Sequence, residues 1–520
     1  MRSMATAFTT SSQDGPVGQS WFARLSAWHP LWAAFVLTAL VTVLRLHDTV
    51  DSDVAWQLWI ARHIHAGAYL YTDIVEVNPP LWFWMALPVD WLATVFHVRA
   101  ESVLIVSLGA VTALSLAATN LLIEHVPIPR RTLFLAYAAL ILMAMPWMHV
   151  GQREQIVLIG LLPYAALLAA RSRATPIRPW LALLIGVGFA LGVALKHYFL
   201  IVPALLELWL AVGIRRAWRP IRPETIAIVA VGAAYGIAVI LLEQDFIKNM
   251  VPLVRLAYGV TGAPGIRYMF CPYAVTALVT GTFALAHGRL MSKGKAPLSS
   301  ALLAGAAAFA LVYFIQSKGW LYHAIPMLGC ASLTVAALLA ESTVAPATLR
   351  VGAPALLIFP FLLAADDRAH PLLPSADLIN AVDQVQPGET IGFLTVEPAI
   401  PWSITLQRGF RYPSRYMGYW MMRAIIDNES RGSPDGRLTA LGKQIVSETV
   451  TDFLCVPPKR LVVAGRRWGG GNFDILAFFE RNPQFTALLS HYRLRSQTSL
   501  DTYELSSSLP RPNQPCRHGV

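Results

Sequence analysis

Charge is what this sequence has least of. Only 14% of its 520 residues are Asp, Glu, Lys or Arg and 55% are hydrophobic, whereas soluble domains carry roughly 25% charged residues. That excludes an ordinary soluble globular chain and points to a polytopic membrane protein. Cysteine is scarce as well, and four in the whole chain exclude a disulfide-stapled scaffold. The first 28 residues lack an apolar core, so no cleavable signal is expected there and they read as a cytoplasmic tail. No internal repeat or low-complexity tract is visible. The glycine-rich GRRWGGGNF at 465–473 lacks the Lys-Ser/Thr of a phosphate loop and reads as an exposed turn. The net charge of +11 falls mostly in short loops, which favours orientation in a bilayer over nucleic-acid binding.

Long apolar runs are what is there. Eleven lie near 30–46, 102–124, 132–149, 155–170, 179–195, 198–214, 225–242, 272–287, 299–315, 321–340 and 351–365, each about the length that crosses a ~30 Å hydrocarbon core. A twelfth, 80–97, contains Pro80, Pro88 and Asp90. An aspartate at mid-span costs about 2.5–3.5 kcal/mol, so this stretch is expected to lie along the membrane surface. With 80–97 outside the count, alternate loops hold Arg130 and Arg131; Arg171, Arg173 and Arg178; Arg215, Arg216, Arg219 and Arg222; Arg289, Lys293 and Lys295; and Arg350. All fall on one face with Arg2 and Arg24, as the positive-inside rule asks. The expectation is eleven spans, tail inside and C-terminal region outside. From about His370 strand-like runs (390–396, 460–465) alternate with helical ones (438–448, 473–482), which reads as a small α/β domain. In an oxidising compartment Cys455 and Cys516 could pair. The division is therefore 1–29 tail, 30–368 transmembrane domain with its first outer loop at 47–101, and 369–520 outer α/β domain.

The first outer loop opens with DSDVAWQLWIARHIHAG (51–67) and continues to NPPLW (78–82). Carboxylates where a span leaves the membrane are expensive unless they face water or a substrate. Asp53 heads a helix expected to lie flat on the lipid. It could act as a general base toward an acceptor hydroxyl, or merely cap the helix. Glu76 and Asn78 precede Pro79-Pro80, which forbids helix there and presents them on an extended strand, where they could bind sugar hydroxyls or orient the base. His63 and His65, two apart on a helix, do not share a face. Metal ligation would need His47, Asp51 and Glu76 to gather in the fold, so no cofactor is assigned and a divalent metal stays open.

The pattern D-x(7)-A-R-x(4)-G followed by N-P-P-L-W resembles the first outer loop of C-type glycosyltransferases, similar in feel to the protein O-mannosyltransferases and the lipid A aminoarabinose transferase. In that family the acidic residue opening this loop is the catalytic base. The resemblance places it at Asp53, with Asp51 as the other candidate because the usual D-E pair is D-S-D here. MPWMHVGQREQIVLIGLLPY (145–164) is similar to the second outer loop and implies a further acid at Glu154. GVALKHYFLIVP (192–203) resembles a Gly-x-x-x-Lys-Gly segment, giving Lys196 with His197 in place of the glycine. FIQSKGWLYHAIP (314–326) resembles a lysine-glycine turn with a following tyrosine, giving Lys318, Tyr322 and, beside it, His323.

The resemblance implies a GT-C fold and an inverting transfer from a polyprenyl-phosphate sugar to a membrane lipid, glycan or protein acceptor outside the inner (plasma) membrane. Lys196, Lys318 and Arg153 would hold the donor phosphate; Glu76, Asn78, His197, Tyr322 and His323 would contact substrate. A lysine at a membrane edge can instead snorkel to head groups, and Arg153 can form an ion pair with Glu154. The rival readings are a lipid-linked glycan flippase or transporter, and an O-antigen-type polymerase or ligase. Repeats and broken helices, the marks of transporters, are not seen.

Overall fold

The computed structural model describes residues 19–258, 269–290, 296–342, 347–369, 375–402, 404–430, 433–464, 474–512 and 515–517. The Arg2 position, Lys293, Lys295 and the whole glycine-rich 465–473 stretch lie outside them. Each of the eleven apolar runs folds as helix. They are α1 Gln19–Arg45, α4 Ala100–Leu122, α5 Ile128–Met143, α6 Arg153–Ser172, α7 Pro179–Ala194, α8 Ile201–Ile214, α9 Pro223–Leu242, α11 Pro272–Leu290, α12 Pro297–Gln316, α13 Ile325–Glu341 and α14 Ala347–Ala369. Between them stand α2 Ser52–His65, α3 Leu81–Phe96 and α10 Val251–Tyr258. Among the described residues seven helical stretches are long and apolar enough to cross a membrane, and α1, α3 and α7 carry shorter apolar stretches.

Contacts assign the helix ends to two ends of the bundle. At one end Ser102 Oγ donates to Leu46 O (2.7 Å), Arg45 to Met143 O (2.8 Å), and Arg153 to Asn78. At the other, Arg173 donates to Leu122 O (3.3 Å), Arg130 to Ser342 O, and Arg171 to Glu224 (3.0 Å). The last group draws together three of the loops whose arginines were read as one face. α3 starts and finishes at the first end: Trp84 Nε1 reaches Glu243 (3.2 Å), and its C-terminus leads into α4 beside Leu46.

Asp90 on α3 is 2% exposed, and His65 Nδ1 (2.8 Å) and Arg62 Nε (3.5 Å) of α2 meet it. Paired, the carboxylate loses the penalty that an isolated buried charge would carry. α2 itself does not lie flat on lipid. Every residue from Val54 to Ala61 is buried, because Trp56 and Trp59, stacked at 4.6 Å, are covered by Trp402 (4.8 and 5.6 Å) and Tyr412 of the C-terminal region. Aromatic contacts of this kind add about 0.5–1.5 kcal/mol each beyond the area they bury. The face expected to lie on lipid is covered by protein.

The C-terminal region is α/β, as its alternating runs suggest. β1 Ile391–Thr395 and β2 Arg460–Ala464 pair in parallel; β4 Asp501–Leu505 lies antiparallel to β2, and β3 Tyr492–Ser496 closes the sheet in the order β1-β2-β4-β3. Helices α15 Ala376–Ala381, α16 Ala399–Trp402, α17 Thr405–Arg408, α18 Met422–Glu429, α19 Gly436–Cys455, α20 Ile475–Glu480 and α21 Pro483–Leu489 surround it. Cys455 and Cys516 form a disulfide. Val75 of the first outer loop donates its N–H to Arg415 O (2.9 Å), so loop and domain share a backbone bridge.

Candidate active site

α2 begins because Asp51 caps it: the Asp51 carboxylate accepts from Asp53 N at 2.9 Å. The capping role considered for Asp53 therefore belongs to its neighbour, and the Asp53 carboxylate is left to other partners. Tyr322 donates its hydroxyl to Asp53 Oδ2 (3.2 Å) across 269 positions of sequence, and Gln152 Nε2 donates to the same oxygen (3.3 Å). His149 Nδ1 lies 2.8 Å from Asp51 Oδ2. His149 and Gln152 flank Gly151, whose φ of 88° only glycine adopts without strain. A Cβ there would meet Leu104 at 2.9 Å and Val54 at 3.1 Å, so the glycine also lets this turn approach the start of α2.

The second outer loop supplies the rest. Arg153 donates to Asn78 Oδ1 and lies 4.7 Å over the Trp82 ring. Asn78 is held by Glu76, which accepts from Asn78 N and Nδ2 (both 2.7 Å) and from Trp56 Nε1 (2.6 Å). Glu154 does not pair with Arg153; its partner is Lys196, whose Nζ donates to Glu154 Oε1 at 2.9 Å and lies 3.0 Å from His323 Nε2. An ammonium only donates, so His323 Nε2 accepts and the ring proton sits on Nδ1.

The electrostatics are unbalanced. Asp51, Asp53, Glu76 and Glu154 gather with Arg153 and Lys196, and His149, paired with Asp51, is the third basic group of the cluster. Burial, with the charge of Asp51 adding to it, raises the Asp53 carboxyl to about 6 against the pull of Arg153. Burial works against the charge of Asp51 too, but the hydrogen bond and charge of His149, with the bonds from Asp53 N and Ser52, together outweigh that and hold it below the usual carboxylate range. Burial raises Glu76 and lowers Lys196 to about 8, in the second case against the attraction of Glu154. Several buried polar atoms of the cluster have no hydrogen-bond partner among the described residues: Gln152 Oε1, Arg153 Nε, Glu154 Oε2 and His323 Nδ1. Each such atom carries a desolvation cost of about 1–3 kcal/mol unless something else satisfies it.

Of the residues read from sequence, Asp51, Asp53, Glu76, Asn78, Arg153, Glu154, Lys196, Tyr322 and His323 are brought together. Lys318 stands half-buried on the turn between Ser317 and Gly319, near enough to Arg423 for that charge and burial to lower its ammonium. His197 is exposed and lies tilted against Tyr198 with ring centroids 4.0 Å apart, outside the cluster's hydrogen bonds. The metal set of His47, Asp51 and Glu76 is not assembled: His47 is exposed, and no group of three or more His, Cys, Asp and Glu side chains that could hold a metal exists among the described residues. His149, Gln152 and Trp56 are the members that sequence reasoning missed. His149 and Gln152 stood within the 145–164 segment, and the glycine between them was the available signal.

No protein-family model matches the chain, and no curated protein matches it in sequence. Among solved structures it is similar to the archaeal oligosaccharyltransferase AglB from Archaeoglobus fulgidus in complex with an inhibitory peptide and a dolichol-phosphate. That match has 12% identity and a TM-score of 0.46, over 94% of this chain and 75% of that one. It is also similar to ArnT from Cupriavidus metallidurans bound to undecaprenyl phosphate, at 12% identity and a TM-score of 0.37, over 95% of this chain and 100% of that one. At those values neither likeness carries an argument about activity or substrate.

Proposed function

We propose that this chain is an inverting C-type glycosyltransferase of the inner membrane, taking a sugar from a polyprenyl-phosphate donor to an acceptor on the extracytoplasmic side. One observation carries the reading. Four segments far apart in sequence meet in a single buried cluster at one end of the bundle, rich in carboxylate and holding unused polar atoms. In the step proposed, Asp53 takes the proton of the acceptor hydroxyl, whose oxygen bonds to the anomeric carbon. The bond from that carbon to the phosphate oxygen breaks with its electron pair, and inversion follows from attack on the opposite face. Negative charge grows on the leaving phosphate, which Lys196 and Arg153 stabilise most at the transition state. Tyr322 and Gln152 orient the base, and His149 keeps Asp51 ionised, which raises the proton affinity of Asp53. Lys318 and His197, nearer the rim, would meet the donor's outer parts.

The test is mass analysis of cell-envelope glycans and lipids with and without the gene, beside binding of undecaprenyl phosphate to the purified chain. Loss of one sugar modification and measurable binding are expected; unchanged glycans with no binding would sink the reading. For sidedness, cysteine placed at Ser433 should be labelled from outside and at Thr175 should not, both positions being exposed.

A further inference from the structure

We infer that Arg517 is a positioning residue, strapping the loop segment that carries Glu76 and Asn78 onto the outer domain with the Cys455–Cys516 disulfide as its anchor. The side chain of Arg517 is 7% exposed, and its contacts bridge distant parts of the chain. Nη1 donates to Asp73 O (2.6 Å) in the first outer loop, Nη2 donates to Pro413 O, and Nε pairs with Asp452 on α19 (3.0 Å). Asp452 also holds Arg415 (2.9 Å), whose carbonyl accepts from Val75 N (2.9 Å). One carboxylate therefore organises both attachments of the 73–75 backbone. Cys516, adjacent to Arg517, is bonded to Cys455 at the end of the same helix.

The bonds continue inward without a break. Three residues past Asp73 stands Glu76, fixed by Trp56; Glu76 holds Asn78, and Asn78 accepts from Arg153. A planar guanidinium with donors on three edges can tie two carbonyls and a carboxylate at once, which lysine cannot reproduce. An arginine on an unanchored segment would lose entropy to make these bonds; the covalent tie at the preceding residue removes much of that cost. Reduction by a dithiol releases the strap: the dithiol becomes a disulfide while Cys455 and Cys516 each gain a hydrogen.

The strap itself does not depend on the transferase reading; only its consequence for turnover does. Hydrogen–deuterium exchange on the full chain in lipid nanodiscs, with Arg517→Gln, with Cys516→Ser, and with dithiothreitol, separates the two. Exchange at the amides of 73–78 should rise at least about tenfold in each case, while the β1 amides stay protected. A merely structural role would loosen the β1 core as well. Transfer turnover should fall several-fold in both variants. Unchanged exchange at 73–78 in both variants overturns the strap, and loosening with full turnover overturns the positioning role. Loosening in a wild-type chain that transfers no sugar supports the strap and removes the transferase reading.

Discussion

α6 carries a buried ionic cluster at each end, and the two are built on different arithmetic. At its C-terminal end Arg171 grips Glu224 bidentately (3.0 and 3.0 Å), and Arg222 bridges Glu224 (2.8 Å) and Glu207. Tyr164 donates to Glu207 at 2.9 Å. Two arginines meet two glutamates, and none of their buried side-chain atoms lacks a partner among the described residues. At its N-terminal end four carboxylates face Arg153, Lys196 and His149, and several atoms are unused among the described residues. A closed, neutral network is what a structural joint needs, because a buried charge is tolerable only when paired and hydrogen-bonded. An open network with unsatisfied polar atoms stores a desolvation cost that a bound group able to hydrogen-bond them relieves. Burial alone does not mark a site; imbalance does.

The comparison breaks most sharply at Asp53. Asp53→Asn should lower transfer about 10³-fold or more, equivalent to roughly 4 kcal/mol, while raising stability. The native chain keeps Asp53 protonated up to about pH 6, and the unfolded chain releases that proton near 4. The charged carboxylate therefore costs about 1–3 kcal/mol above pH 6, fading as pH falls toward 4. The variant should melt higher than wild type at pH 7.5 and equally at pH 4; a lower melting point at pH 7.5 would contradict this. Glu224→Gln at the balanced end should do the reverse, destabilising by about 3 kcal/mol because Arg171 and Arg222 lose their shared partner. Turnover per folded molecule should stay within about twofold.

Lys196→Met should cut turnover about 10²-fold, roughly 3 kcal/mol, and also destabilise, since Glu154 is left unpaired. Adding Glu154→Gln should restore the melting point without restoring turnover; recovery of turnover would show that Lys196 serves only Glu154. The mildest test is pH. With the base needing to be ionised and the phosphate-holding ammonium charged, turnover should rise up to about pH 6 and fall above about 8. The acid limb should vanish in Asp53→Asn measured at its residual rate.

What the sequence disclosed followed the range of its signals. Apolar runs are local and all eleven became helix, and β1 and β2 were visible as short β-branched stretches. β3 and β4 were not: YRLRS alternates with charge on the exposed edge strand, and DTYEL, though an interior strand, carries two acids in five residues. Seven of the nine clustered site residues were reached through family-like segments and Glu76 and Asn78 through the Pro79-Pro80 break, whereas spacing alone could not say which aspartate capped α2. The burial of Trp56 and Trp59 was unreadable, since it depends on Trp402 more than 300 positions away. A tryptophan-rich amphipathic helix looks the same in sequence whether lipid or protein covers it.

The pairing of Asp90 with His65 and Arg62 has a consequence for biogenesis. An apolar helix bearing a lone aspartate is a poor substrate for insertion, and α3 emerges from the ribosome with that defect. Its remedy has already been synthesised, about 25 residues upstream. α2 and α3 are thus expected to leave the translocation machinery as one hairpin, neutralised before the next span arrives. Early pairing would fix α3 against α2 before the later helices pack around them.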